Sequence, residues 1–148
     1  MITALGNLNV LEIHTLVDMQ KGINRILAEM KALGYGERDI FGVRLSLEEA
    51  IVNSIRHGHR GDVSKSVLLR YLLDDHNLII EIKDQGRGFD PDILPNPTAP
   101  ENRETPGGRG VFLYRHYMTW VAFNEKGNCV TFCKKRSCAD CTPVEPRP

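Results

Sequence analysis

The chain has no excess of charge of either sign: 19 lysines and arginines stand against 19 aspartates and glutamates in 148 residues. That balance gives no electrostatic footprint for direct binding to nucleic acid or to an anionic membrane surface. The short basic run Lys134-Lys135-Arg136 reads as the solvated end of a strand. Apolar runs are also short. None approaches the roughly 20 residues that a membrane-spanning helix needs, and Met1-Ile2-Thr3-Ala4-Leu5 shows no basic region leading into an apolar one. No membrane partner and a cytoplasmic location are therefore expected. Cysteine is missing from the first 128 residues. This excludes a disulfide framework for most of the chain, as the expected compartment does on its own. The four thiols Cys129, Cys133, Cys138 and Cys141 are read as unpaired, with a four-thiolate zinc site or a redox pair as the alternatives. No internal repeat is visible.

What is present suffices for one core, since 41% of the residues are hydrophobic and the length is that of one domain. The expectation is a single domain over 1–136 and a flexible tail over 137–148, where Pro143, Pro146 and Pro148 accumulate. Alternation from Leu8 to Thr15 predicts an opening strand with both faces partly apolar. Leu16, Met19, Ile23, Ile26, Leu27, Met30 and Leu33 recur at three and four, which predicts an amphipathic helix ended by Gly34. A second helix is predicted from about Glu37 to His57. Val67–Leu73 and Leu78–Lys83 read as an antiparallel hairpin around Asp74-Asp75-His76-Asn77. Five prolines between Asp90 and Pro106 preclude a regular element there, as in a functional lid or a disordered segment. A short helix from Gly110 to Tyr117 and a last hairpin, Trp120–Phe123 with Cys129–Cys133, complete the order.

Three segments carry residues suited to chemistry. In the second helix, Glu49, Asn53 and His57 lie four apart and so share one stripe, with Arg56 beside His57. An amide oxygen suits a hard cation such as Mg²⁺, which keeps several waters and takes few protein ligands when phosphate oxygens are present. A carboxylate one turn back could orient or deprotonate a nucleophile beside that metal. Standing alone, the stripe could equally be a solvated helix face. Asp84 closes an alternating strand just before Gly86-Arg87-Gly88-Phe89. Its carboxylate could accept from an exocyclic amine such as that of adenine while the glycines bring backbone close to the base; an ordinary strand-ending turn is the alternative, and Phe89 fits a core as well as a base-stacking ring. Gly107, Gly108 and Gly110, ahead of Val111, present free backbone N–H groups at a helix start, where anions bind, and Arg109 could add a charged bond to phosphate. A glycine hinge without phosphate is the alternative. No Gly-Lys-Ser/Thr follows, so this is not a Walker A loop, and no parallel βαβ unit surrounds it.

Taken together, Glu49-x-x-x-Asn53-x-x-Arg56-His57, Asp84-x-Gly86-x-Gly88 and Gly108-x-Gly110 resemble the N, G1 and G2 boxes of the GHKL ATPases. The stretch Ser46-Leu47-Glu48-Glu49-Ala50-Ile51-Val52-Asn53-Ser54-Ile55-Arg56-His57-Gly58 is similar to that of the anti-sigma-factor serine/threonine kinases of bacteria, over about residues 10 to 135. The resemblance implies a Bergerat ATP-binding fold: an α/β (α+β) two-layer sandwich whose mixed, largely antiparallel sheet carries its helices on one face. It implies ATP and Mg²⁺ as cofactors, Asn53 as metal ligand, Glu49 as catalytic carboxylate and Asp84 on the adenine amine. Gly86, Gly88, Phe89, Gly107, Gly108, Arg109, Gly110 and Val111 would shape the nucleotide pocket, with Arg56 and His57 beside it. It further implies a sigma factor and a STAS-domain anti-anti-sigma protein as partners, the latter phosphorylated on Ser or Thr, and a homodimer that covers the apolar opening strand. Pro106 stands where members often carry an arginine. That departure keeps open an ATP-binding anti-sigma or adaptor module without kinase activity.

Overall fold

A computed structural model describes residues 8–58, 65–85 and 108–137, and within them three α-helices and five strands. In chain order these are β1 (Asn9–Ile13), α1 (Leu16–Ala32), α2 (Glu37–Asn53), a π-helical turn (Ser54–Gly58), β2 (Val67–Leu73), β3 (Asn77–Lys83), α3 (Gly108–Tyr117), β4 (Trp120–Phe123) and β5 (Cys129–Lys135).

Local chemistry sets the helix ends. Thr15 and Asp18 form a reciprocal cap: the Asp18 N–H donates to Thr15 Oγ1 (3.1 Å), and Asp18 Oδ2 accepts from the N–H groups of Thr15 (3.2 Å) and His14 (3.0 Å). Those bonds, the His14 N–H foremost, hold the Asp18 carboxyl below its ordinary pKa. At the other end Gly34 takes a left-handed φ of 88°. This lets the Tyr35 N–H reach the Met30 carbonyl and the Gly34 N–H that of Lys31, closing the helix in a Schellman turn.

The sheet runs β1-β2-β3-β5-β4, and every described pairing is antiparallel, so no parallel component is found among the described residues. Along β2, Val67, Leu69 and Tyr71 are buried; along β3, Leu78, Ile80 and Ile82; along β5, Val130 and Phe132. This period of two gives the sheet one buried face. Onto it α1 sets Met19, Ile23, Ile26, Leu27 and Met30, and α2 sets Val43, Leu47, Ala50 and Ile51. Each such Ile or Leu contributes about 1.5–3 kcal/mol by leaving water. The expected two-layer α+β arrangement is thus present.

Several details differ from the sequence expectation; α3, for one, begins at Gly108 rather than Gly110. The second helix leaves α-helical geometry at Ser54, whose Oγ donates to the Ala50 carbonyl (2.9 Å), so the stripe through Glu49 and Asn53 does not continue to His57 in the same register. The last strand runs two residues further than read, to Lys135. Ser137, expected to open a flexible tail, is tied to the domain: its N–H and Oγ donate to the buried Asp39 carboxylate (2.8 and 2.6 Å), and Lys134 Nζ lies 3.7 Å from the same group. No helix among the described residues is long and apolar enough to cross a membrane.

Candidate functional site

The last full turn of α2 and the first turns of α3 meet at one point. Glu49 and Asn53, both half-buried, lie one turn apart, and Asn53 Nδ2 donates to Glu49 Oε1 (3.2 Å). Across from them stands Gly110, which is buried. A Cβ added at Gly110 would come within 3.2 Å of Asn53 Nδ2, 2.9 Å of Tyr114 Oη and 3.1 Å of Tyr114 Cζ. Only a residue without a side chain lets α3 seat this closely on the amide. Two of the sequence segments, distant along the chain, are therefore brought into contact.

Tyr114 completes this cluster. Its ring is 3% exposed and meets Phe132 edge to face, with centroids 4.7 Å apart. Burial, and then the negative charge of Glu49, push its phenol far above the ordinary value, while hydrogen bonding with the Asn53 side chain pulls the other way. Val111 is fully buried, so its side chain is packing. Because α3 begins at Gly108, the N–H groups of residues 108–110 have no partner inside the helix and offer themselves to an anion.

Asp84 is placed by separate bonds. Its N–H donates to the Asn128 carbonyl (2.9 Å), and Asn128 Nδ2 donates back to the Asp84 carbonyl (3.1 Å). Asn128 is itself 7% exposed and held, since its Oδ1 accepts from Asn124 Nδ2 (2.6 Å) while Asn124 Oδ1 accepts from the Cys129 N–H (3.1 Å). The half-buried Asp84 thus leaves β3 at an angle set by the β4–β5 hairpin. Beside it, Gln85 Oε1 accepts from the Ser66 N–H (3.1 Å).

Of the remaining candidates, Arg56 is exposed on the π turn. The backbones of His57, Gly108 and Arg109 are helical, and the side chains of His57 and Arg109 lie outside what is described. Gly86, Gly88, Phe89 and Gly107, with Pro106 and the rest of the proline-rich segment, lie outside the described residues. Tyr114 and Asn128 were not picked out as site residues from sequence. Tyr114 falls there within the expected short helix, and Asn128 just before the last expected strand.

The donor set fits a magnesium ion better than zinc. No group of three or more His, Cys, Asp or Glu side chains able to hold a metal occurs among the described residues. Mg²⁺ in nucleotide sites takes one or two protein oxygens and completes its shell from phosphate and water. An Asn53 amide whose nitrogen is engaged by Glu49 has its oxygen available for that role. Cys129 and Cys133 are four residues apart on β5, about 13 Å along the strand, so one metal ion cannot bind both. The four-thiolate zinc alternative is excluded by that spacing. Burial also raises both thiols, Cys129 to about 11, which disfavours the reactive thiolate form. Cys138 and Cys141 lie outside the described residues.

Comparison with known proteins points the same way. The serine-protein kinase RsbW of Listeria monocytogenes (serovar 1/2a, strain EGD-e) is 28% identical over 108 residues, 68% of this chain and 69% of its own length. Its namesake from Bacillus subtilis strain 168 is 26% identical over 109 residues, 69% and 68% of the two chains. That of Halalkalibacterium halodurans is 29% identical over 104 residues, 66% and 63%. The profile of the histidine kinase-like ATPase domain matches residues 14–134, a span holding α1, α2, α3, the Glu49–Asn53–Gly110 contact and Asp84, and the chain belongs to that family.

Proposed function

We propose that this chain is an ATP-dependent anti-sigma factor that acts as a serine/threonine protein kinase on a STAS-type anti-anti-sigma protein in a bacterial partner-switching pathway. The observation that supports this reading is the meeting of Glu49, Asn53 and Gly110, where a carboxylate, an amide and the start of a helix come together. Membership of an ATPase family and similarity to proteins named serine-protein kinases support the nucleotide and the reaction class.

In this reading Asp84, held by Asn128, accepts from the adenine amine. The N–H groups of residues 108–110 and Arg109 receive the phosphates, with Gly86, Gly88, Phe89, Gly107 and Val111 shaping the pocket and Arg56 and His57 at its border. Asn53 would hold Mg²⁺, which when bound would supply positive charge to offset that of the phosphates. Glu49 orients the incoming Ser or Thr hydroxyl and takes its proton as the new O–P bond forms and the bond from the γ-phosphorus to its bridging oxygen breaks, releasing ADP. The Asn53 bond restrains the Glu49 carboxylate through its Oε1.

Dimerisation through β1 belongs to the same reading. This strand is a sheet edge with Val10 55% exposed, and Leu16 and Val17 at the start of α1 are exposed beside it in sequence. Light scattering on Val10→Lys should report a monomer where the wild-type chain is a dimer; a wild-type monomer contradicts it. The cytoplasm is the expected location. The test of the kinase reading is transfer of labelled γ-phosphate from Mg-ATP to the Ser or Thr of a STAS protein encoded nearby. Transfer by the wild-type chain is the expected result. ATP and sigma-factor binding without transfer would favour the second reading, a non-enzymatic ATP-binding anti-sigma or adaptor module, which Pro106 in a place often held by arginine favours.

A further inference from the structure

Exposed apolar side chains that stand singly are ordinary on a protein surface and need no explanation. Phe41 and Phe112, 51% and 59% exposed, do not stand singly. Phe41, near the start of α2, meets the half-buried Tyr117 at the end of α3 edge to face, with centroids 5.9 Å apart. The Tyr117 ring in turn meets that of the exposed His116 at 4.7 Å, and His116 lies one turn of α3 beyond Phe112. Four rings therefore run from the start of α2 back along the outside of α3. Gly42 makes the join between the helices close, because a Cβ there would come within 2.9 Å of Tyr117 Cδ1.

The charge around these rings is mainly positive. Arg38 and Arg44, both exposed, each lie three residues from Phe41, and the exposed Arg115 lies three from Phe112, so each is a surface neighbour of its ring. None of the three arginines is in an ion pair among the described residues. On α3 there is no carboxylate at all, while on α2 Glu37 and Glu48 lie four before and seven beyond Phe41. Aromatic rings accompanied by arginine are the composition found at the centre of protein–protein interfaces. The matching surface is apolar with carboxylates at its edge.

The same face reaches the reaction site along both helices. Phe41, the half-buried Leu45 and Glu49 follow at intervals of four, a stripe about 12 Å long that ends on the carboxylate read as the general base. On α3, Phe112 stands two residues beyond Gly110, which seats against Asn53. A protein whose hydroxyl reaches Glu49 must lie over the surface beside it. We propose that the aromatic face from Phe41 to Phe112, with its arginine border, is the docking surface for the phosphoacceptor protein, a folded partner that sets an apolar patch edged by carboxylates beside the Ser or Thr it presents. This rests on the reading of the chain as a protein kinase with Glu49 as base. Acceptor recognition then uses side chains that the nucleotide does not, so the two affinities are separable.

The test measures binding of the ADP-loaded full chain to the STAS protein encoded nearby, by calorimetry, and transfer of γ-phosphate at saturating Mg-ATP with that protein varied. Phe41→Ala and Phe112→Ala should each weaken binding by about 5- to 20-fold and raise the KM for the acceptor in proportion, with kcat and ATP affinity unchanged. Arg44→Glu should also weaken binding, and added salt should weaken the wild-type complex more than that of Arg44→Glu. Wild-type acceptor affinity in both phenylalanine variants overturns the proposal. So does an equal loss of ATP affinity, which would make the rings structural only, and so does a loss of sigma-factor binding with acceptor binding intact, which would give the face to the other partner. The two readings fail separately. Normal transfer by the wild-type chain and by both phenylalanine variants sinks the docking surface alone; acceptor binding that depends on Phe41 and Phe112 without any transfer sinks the kinase reading and leaves the surface standing.

Discussion

Asn128 bonds Asp84 twice, once through its backbone carbonyl and once through its side-chain nitrogen, from 44 positions away in the chain. A buried amide left without its partner costs about 1–3 kcal/mol, so this pairing is strong enough to decide where β3 ends. If Asp84 reads the adenine amine, Asn128 is responsible for aiming it. Asn128→Ala should then weaken ATP by about 5- to 10-fold with little effect on GTP, whose ring carries an oxygen in place of that amine, so the preference for ATP falls. Competition of the two nucleotides for a fluorescent analogue reads this directly. An unchanged ATP/GTP ratio would mean that Asn128 only stabilises the hairpin.

At the scale of elements, the site depends on how closely α3 lies on α2. Two effects compete at Gly110: alanine is the better helix former by about 1 kcal/mol, but overpacking costs about 1–3 kcal/mol. The steric effect wins here, because the atoms a Cβ would strike cannot yield easily. Tyr114 is backed by Phe132, and Asn53 is tied to Glu49. Gly110→Ala is therefore expected to lower ATP affinity at least about tenfold by displacing α3, with a smaller loss in thermal stability. Calorimetry on the variant checks it, and wild-type affinity would refute the close-seating account.

The same scale explains what could be read beforehand. The period of Leu16, Met19, Ile23, Ile26, Leu27 and Met30 carries α1 to within a residue of its end, and alternation around Asp74-Asp75-His76-Asn77 gives β2 and β3, because in both the pattern of burial is also the pattern of the backbone. Glu49, Asn53 and Asp84 were legible for a related reason: each has a distinctive side chain at a spacing that secondary structure converts into position. The π turn after Asn53 was not, since it replaces one helical geometry with another over five residues without altering the apolar pattern. Tyr114 and Asn128 were hidden because their partners lie on other elements, and only the docking of α3 on α2, or of β5 on β3, reveals them. The hold of Asp39 on Ser137 likewise requires the fold.

For the molecule as a whole, buried phenols link separate parts of the domain. Tyr35, at the end of α1, donates to the Asp74 carbonyl in the β2–β3 turn (2.8 Å); Tyr71 on β2 donates to Glu29 on α1 (2.8 Å); Tyr114 on α3 packs edge to face on Phe132 of β5. Burial raises all three above the ordinary tyrosine value, Tyr71 to about 12 with its Glu29 bond as the second cause. The folded chain therefore keeps protons that the unfolded chain releases near pH 10. Stability from these groups is complete below about pH 10 and is lost as pH rises from there towards about 12. Thermal melts across that range should show a steep fall, less steep in Tyr71→Phe. A flat profile would contradict the burial of the phenols.

In the proposed reading the chain separates holding a nucleotide from transferring its phosphate: Asn53, Asp84 and the start of α3 hold, and Glu49 transfers. The most direct measurement is a single-turnover reaction of Glu49→Gln with Mg-ATP and the phosphoacceptor protein, with ATP affinity determined on the same preparation. The account predicts ATP affinity within about twofold of wild type and a transfer rate lower by about 10²- to 10⁴-fold, the usual contribution of a positioned general base. Transfer at the wild-type rate by Glu49→Gln, or loss of ATP binding along with transfer, would contradict it.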